Sequence, residues 1–278
     1  MTLLKNGVAL ITGAARGLGW GIARAFGIAG ARVGVTDISD DDLARCAQTL
    51  AADGTDFQTF RSDVADLAEC QSVVKKILDH WGRLDVVVHN AIYMPLITFD
   101  ATTPGEWTRQ INVGMGGLFN CTYAVWNQMK AQGGGHIMGI ASGSSIRGYE
   151  EEIAYCTIKH GAEGFVKALS LEARSHNIAL NTIGPGARIK PTRMTWAEYD
   201  QTPAELRAKW ADPVELGKAW VWLAAQPPSR FSGYRFDAAK LVQTIAREGD
   251  EFEFAVEKVT LYPDDFRARQ EWYRNRVE

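Results

Sequence analysis

Tyr155 and Lys159 stand at i and i+4 in Tyr-Cys-Thr-Ile-Lys, a spacing that puts a phenol and an ammonium on one helical face. A free phenol, with a pKa of about 10, is a poor base at neutral pH. A neighbouring ammonium, like any positive charge close by, stabilises the phenolate and lowers that pKa. Such a tyrosine can exchange a proton with an alcohol or carbonyl while hydride moves. Ser142 lies just past a short apolar run, His136–Ile140, and is placed to hold the same substrate oxygen. Alone, Tyr-x-x-x-Lys is usually a pair on a helix surface. Its meaning here comes from a second motif.

That motif is Thr12-Gly13-Ala14-Ala15-Arg16-Gly17-Leu18-Gly19, which follows the apolar run Val8–Thr12 and opens a helical pattern. Glycines allow a tight turn and close approach of backbone to a pyrophosphate, and a helix N-terminus adds free N–H groups and a positive dipole end. Gly13, Arg16, Gly17, Leu18 and Gly19 are therefore candidate cofactor contacts. Asp37 ends the second predicted strand, where a carboxylate accepts from adenosine ribose hydroxyls and repels a 2′-phosphate. This favours NAD over NADP. Arg16 pulls the other way, because it can pair with that phosphate, but an exposed pair is worth only about 0–1 kcal/mol. Asp63-Val64 follows the third strand, and the Asp is placed to accept from the adenine amino group; its plainer role is an acid at a helix start. Asn90-Ala91 follows the fourth strand at the same edge, with a turn asparagine as the plainer reading.

The elements that must position these residues alternate regularly. Strands are expected at Val8–Thr12, Arg32–Asp37, Phe57–Arg61, Leu84–His89, His136–Ile140, Ile178–Ile183 and Tyr234–Asp237. Helices are expected near Leu18–Ala29, Asp40–Ala52, Leu67–Trp81, from Thr103 to about Gln132, over Tyr155–Ser175, from Asp212 to about Ala225, and over Ala238–Arg247. Thr103-Pro-Gly-Glu, Thr202-Pro-Ala-Glu and Asp212-Pro-Val-Glu carry helix-start signals. The alternation predicts an α/β fold: a single doubly wound parallel sheet of Rossmann type with helices on both faces. Residues 1–248 read as a dinucleotide-binding catalytic domain and 249–278 as a charged, aromatic C-terminal extension.

Composition sets the outer bounds. The 278 residues are 46% hydrophobic and 23% charged, with a net charge of −3 and no block of Lys or Arg, which argues against nucleic acid or an anionic membrane as partner. The apolar run Val8–Ile11 is too short for a signal-peptide core, and nothing nears the roughly 18 apolar residues of a span. Cys46, Cys70, Cys121 and Cys156 are scattered and read as free thiols of a cytoplasmic protein; His89, His136 and His160 read as structural, with no metal site.

In order and spacing, Thr12-Gly-x-x-x-Gly17-x-Gly19, Asp63, Asn90-Ala91, Asn112, Ser142, Tyr155-x-x-x-Lys159 and Asn181-x-x-x-Pro185-Gly186 resemble the short-chain dehydrogenase/reductase family, in its short single-domain branch, over roughly residues 5–240. The resemblance implies Tyr155 as general acid/base, Ser142 orienting the substrate oxygen, and Lys159 lowering the tyrosine's pKa while binding the nicotinamide ribose. It implies Asn112 holding a water that links Lys159 to solvent, and Pro185-Gly186 passing the nicotinamide face. It also implies a homo-oligomer, tetramer or dimer, built through the helices that carry Asn112 and Tyr155. The chain departs from the pattern at Ile92, where the family has Gly, at Gly139, where it often has Asn, and at Lys190, where it often has Thr contacting the carboxamide. The Ile189 backbone is the substitute for that contact.

Segments Tyr93–Leu96, Ser144–Glu152 and Ala187–Asp212 are expected above the nicotinamide, with Tyr93 and Trp196 as candidate substrate contacts beside Ser142 and Tyr155. The expected function is an NAD-preferring oxidoreductase acting on a secondary alcohol or ketone. The alternatives are an NADPH-dependent 3-oxoacyl thioester reductase and a non-catalytic dinucleotide-binding sensor.

Overall fold

The computed structural model describes residues 4–249 and Phe252. The aromatic extension expected over 249–278 otherwise lies outside the described residues. Residues up to Thr244 form one compact unit and a second unit begins at Ile245.

The strands are β1 (Val8–Thr12), β2 (Arg32–Asp37), β3 (Phe57–Arg61), β4 (Val86–His89), β5 (Gly135–Ile140), β6 (Ile178–Gly184) and β7 (Arg235–Asp237). They pair in parallel in the order β3-β2-β1-β4-β5-β6-β7, the doubly wound sheet expected. β1, β4, β5 and β6 are buried along their whole length, which explains their nearly unbroken apolar runs. The order reverses between β1 and β4, and the crevice outside the strand C-terminal ends opens there.

The helices are α1 (Gly17–Ile28), α2 (Asp40–Ala52), α3 (Leu67–Trp81), α4 (Pro104–Ile111), α5 (Gly117–Ala131), α6 (Ile153–Ala173), α7 (Trp196–Gln201), α8 (Ala204–Arg207), α9 (Pro213–Ala224) and α10 (Ala238–Glu248). Val8, Leu10, Val87, Ile137 and Leu180 meet Ile77 of α3, Val125 and Met129 of α5 and Val166 of α6 in one core layer. The alternate residues of the same strands point to the opposite face.

Helix starts follow their sequence signals. Ser39, Asp66, Thr103 and Asp212 each accept a first-turn N–H through the side chain. Two expectations need correction. The helix from Thr103 to about Gln132 is not uniform, because Asn112–Gly116 forms a π-helical turn between α4 and α5. The physical cause lies in its neighbours. Buried His89 takes the Gly114 carbonyl through Nε2 at 3.0 Å, and a Cβ on Gly114 would sit 2.6 Å from Ile158 Cγ2 of α6. The other correction is between β6 and α9. Thr202-Pro-Ala-Glu starts only the four-residue α8, whereas Thr195 and Glu198 form a full capping box that starts α7.

α1 carries the glycine loop and is backed by α9. A Cβ on Gly21 would overlap the Pro213 backbone, and one on Gly217 would lie 2.7 Å from Ala25 Cβ, so the two helices touch backbone to backbone. Gly21→Val should therefore cost about 1–3 kcal/mol, the usual range for overpacking, read as a lower urea midpoint with an unchanged slope.

Candidate active site

The glycine loop is shaped before any ligand arrives. Gly13 and Gly17 have φ of 59° and 61°, a region that L side chains rarely adopt. A Cβ on Gly13 would lie 2.6 Å from Ala91 Cα. Asn90 Nδ2 donates to the carbonyls of Thr12 and Gly13 at 3.0 and 2.7 Å, and the Thr12 hydroxyl accepts from the amides of Asn90 and Ala91 at 3.2 Å each. With Nε2 donating to Gly114, His89 Nδ1 accepts from Thr12 Oγ1 at 3.3 Å. Burial pushes this imidazole down to about 3, so it is neutral and structural, as expected.

Beyond the loop is a cleft of about 750 Å³. At one end Gly13, Arg16, Gly17 and Leu18 line it together with Asp37, Asp63, Val64, Asn90 and Ala91. Further along come Pro185 and Ile189, and at the other end Tyr93, Asn112, Ser142, Tyr155 and Lys159. Three residues expected at the site lie outside this lining: Gly19, Gly186 and Trp196. The two glycines act on shape. A Cβ on Gly19 would overlap Asn90 Nδ2, and one on Gly186, whose φ is 64°, would overlap the Asp237 carboxylate. The contacts of Trp196 lie behind the loop. Its indole donates to the Ala15 carbonyl at 3.1 Å, its ring meets Trp20 edge-on at 5.3 Å, and Arg45 lies 4.2 Å over it. It fastens the segment after β6 to the back of the glycine loop.

The cleft fits a dinucleotide. The N-cap of α1 makes no side-chain bond and no acid stands in the first turn, which leaves the helix dipole uncompensated. The Asp37 carboxylate is held by the amides of Ile38 and Ser39 on Oδ1, at 2.8 and 3.2 Å, and of Ala15 on Oδ2, at 3.3 Å. Burial raises its pKa while these amides oppose the rise. Arg16 lies 3.4 Å from Asp42 of α2. Asp63 turns one carboxylate oxygen to the Ala65 amide at 2.9 Å and still lines the cleft.

At the far end the Tyr155 phenol and the Lys159 ammonium are both desolvated. Burial raises the Tyr155 phenol above its ordinary value, a hydrogen bond with Ser142 opposes the rise, and the charge of Glu152 adds to it. Lys159 Nζ lies 5.3 Å from the Tyr155 ring centroid and donates to the Ile140 carbonyl at 2.7 Å. Burial lowers this lysine to about 8.

Sequence reading missed the groups behind Ser142. Ser144 Oγ donates to Glu152 Oε2 at 2.8 Å, and Ser142 Oγ donates to Ser144 Oγ at 3.4 Å. A carboxylate only accepts, so its charge fixes the direction of both bonds. Arg235 Nη2 donates to the Ser142 carbonyl at 2.9 Å while its Nε donates to Glu163 of α6 at 3.1 Å. β7 is thereby tied to both the serine and the tyrosine's helix. No local pattern marks these partners. Ile92, the branched residue at the family's glycine position, lines the cleft and turns its Cδ1 toward Gly114, within 3.0 Å of where a Cβ would be. Among the described residues no cluster of His, Cys, Asp or Glu could hold a metal ion, and no helix is long and apolar enough to cross a membrane.

The short chain dehydrogenase family matches residues 7–203. A D-threitol dehydrogenase of Mycolicibacterium smegmatis is 29% identical over 83% of this chain and 90% of its own length. An acetoacetyl-CoA reductase of Paracoccus denitrificans is 31% identical over 81% and 93%. The crystal structure of a metagenomic short-chain oxidoreductase in complex with NADP superposes with a TM-score of 0.71 at 25% identity, over 84% of this chain and 98% of that one. Doubly wound sheet, glycine loop and matched sequence define one class: the chain belongs to the short-chain dehydrogenase/reductase family. It is an NAD(P)-dependent oxidoreductase.

Removing the Glu152 charge should lower the Tyr155 pKa, since that charge raises it. With Tyr155 as the base, alcohol oxidation would need the phenolate, and its rate would climb with pH through that pKa. Glu152→Gln should shift the rising limb of kcat/KM to lower pH, while Glu152→Asp should stay near wild type.

Proposed function

We propose that the protein transfers hydride between NAD and a secondary alcohol or its ketone, with Tyr155 as general acid/base. One observation carries this reading: a single cleft joins Ser142, Tyr155, Lys159 and Asn112 to the backbone-held carboxylate of Asp37. Bound nicotinamide supplies the hydride acceptor or donor. Ser142 holds the substrate oxygen and Tyr155 takes or returns its proton. Lys159 holds the ribose hydroxyls, and its charge, beside the phenol ring, favours the phenolate. Asn112, at the start of the π-helical turn, keeps a water that passes the proton to solvent. Gly13, Gly17 and Leu18 receive the diphosphate, Asp63 and Val64 the adenine, and Pro185 and Ile189 the nicotinamide side. Tyr93, stacked 4.1 Å under Arg109, meets the substrate.

The similarity to a threitol dehydrogenase supports a neutral alcohol. The similarity to an acetoacetyl-CoA reductase, the NADP-bound neighbour and the place of Arg16 in the cleft favour a second reading, an NADPH-dependent 3-oxoacyl thioester reductase. NAD⁺ reduction followed across secondary alcohols and polyols, beside titrations with NADH and NADPH, decides between them. Tenfold tighter NADPH binding would overturn the NAD assignment. Asp37→Ala should weaken NAD binding and relax discrimination against NADP. Tyr155→Phe should lose about 10²–10⁴-fold in turnover and still bind NAD, checked by isothermal titration; a variant that keeps a tenth of the rate, with chemistry limiting, would remove Tyr155 from the role.

The protein is read as a cytoplasmic homo-oligomer. The four cysteines are free thiols, which suits a reducing compartment. On α5, Phe119 and Tyr123 are 50% and 55% exposed and stack at 5.7 Å, and Leu171 of α6 is 55% exposed. An apolar face on these helices suits a symmetric contact with a second copy. Phe119→Glu with Tyr123→Glu should reduce the mass measured by light scattering to that of a smaller species, with far-ultraviolet dichroism unchanged.

A further inference from the structure

Gly17 presents a bare backbone to the cleft. Beyond its own chain neighbours, the atoms within 4 Å of the point where its Cβ would sit are the Cε and Nζ of Lys190, at 3.7 and 4.0 Å. A group that lies against Gly17 therefore lies against this ammonium as well. Lys190 itself lines the cleft, beside Arg16. It stands where the family resemblance expects a neutral threonine.

The lysine is held in place from several directions. Its ammonium donates to the Pro191 carbonyl at 3.4 Å and to the Met194 carbonyl. An ammonium has three donors, so one remains. The strap that carries it leaves β6 at Pro185 and is fastened at its other end by the Trp196 indole on the Ala15 carbonyl. The charged groups around Lys190 are Arg16 of the loop, Asp42 of α2 and Glu198 of α7. Arg16 is like-charged, and its nearest acid is Asp42 at 3.4 Å. Arg16 and Lys190 line the same cleft and repel one another, and a doubly charged anion bound there offsets that cost. Burial, with Arg16 adding to it, lowers this lysine to about 8.

We propose that Lys190 is a clamp for the cofactor diphosphate, held against Gly17 at the start of α1. The inference rests on the dinucleotide reading of the cleft. It gives the cofactor a charged partner besides Arg16 of the glycine loop, and it makes binding proton-linked. With a pKa of about 8, Lys190 is half charged near pH 8 in the free protein. A neighbouring diphosphate raises that pKa, so binding takes up a proton and weakens as pH rises above this value.

The test is isothermal titration of the full chain at pH 8 with ADP-ribose and with adenosine, in two buffers of different ionisation enthalpy. Wild type should take up about half a proton on binding ADP-ribose. Lys190→Met should bind ADP-ribose about tenfold more weakly, lose the uptake, and keep its adenosine affinity within about twofold, since adenosine carries no phosphate. Lys190→Arg should keep the ADP-ribose affinity and lose the uptake, because a guanidinium does not titrate at this pH. ADP-ribose binding by Lys190→Met within about twofold of wild type would overturn the clamp, as would an uptake unchanged in Lys190→Arg. Wild type that binds neither ligand would overturn the dinucleotide reading and the clamp with it.

Discussion

The site depends on one contact between two strand ends. The glycine loop after β1 is pressed onto the start of the chain after β4, so closely that Gly13 has no room for a side chain beside Ala91. Asn90 stitches the loop's carbonyls from one side, and Thr12 collects the amides of Asn90 and Ala91 from the other. His89 extends this to the Gly114 carbonyl and so sets the π-helical turn that begins at Asn112. A buried imidazole with both nitrogens bonded has no spare capacity, so loop, strand end and helix turn are positioned as one body.

The opposite end of the cleft is organised by charge. Glu163, buried at 6% exposure, accepts from Thr182 of β6 and from Arg235 of β7, and the same arginine reaches the Ser142 carbonyl. Buried charges persist only when paired and bonded, and here the pairing joins two strands, the serine's loop and α6. Glu152 acts from the solvent side through Ser144. The phenol thus sits between a desolvating wall and a carboxylate that both oppose its ionisation, with Lys159 held against its ring face. A positively charged ring entering the cleft changes that balance, which ties proton affinity at Tyr155 to occupancy of the site.

Much of this was legible in the residues. The seven strands, the glycine loop, the acid at the end of β2 and the Tyr-Lys pair follow from local rules: apolar periodicity, capping residues, and the need for glycine where φ is positive. Even α7, overlooked, carries its capping signal in Thr195-Trp-Ala-Glu198. These features are decided within a few residues, so a single chain read in order contains them.

Other features are decided by residues far apart in the chain. Trp196 packs on the back of the loop because its indole finds the Ala15 carbonyl 181 residues away. The helix around Asn112 changes pitch because β4 supplies His89 and α6 supplies Ile158. Arg235 reaches Ser142 across 93 residues, and Lys190 lies over Gly17 because a strap returns from β6. The direction of the Tyr155 shift belongs to this group too, since composition says which charges exist but not how much water is taken from them. Local sequence determined the elements and the reactive groups. Tertiary structure alone decided their protonation and partners, because desolvation and hydrogen bonding depend on which surfaces the fold brings together.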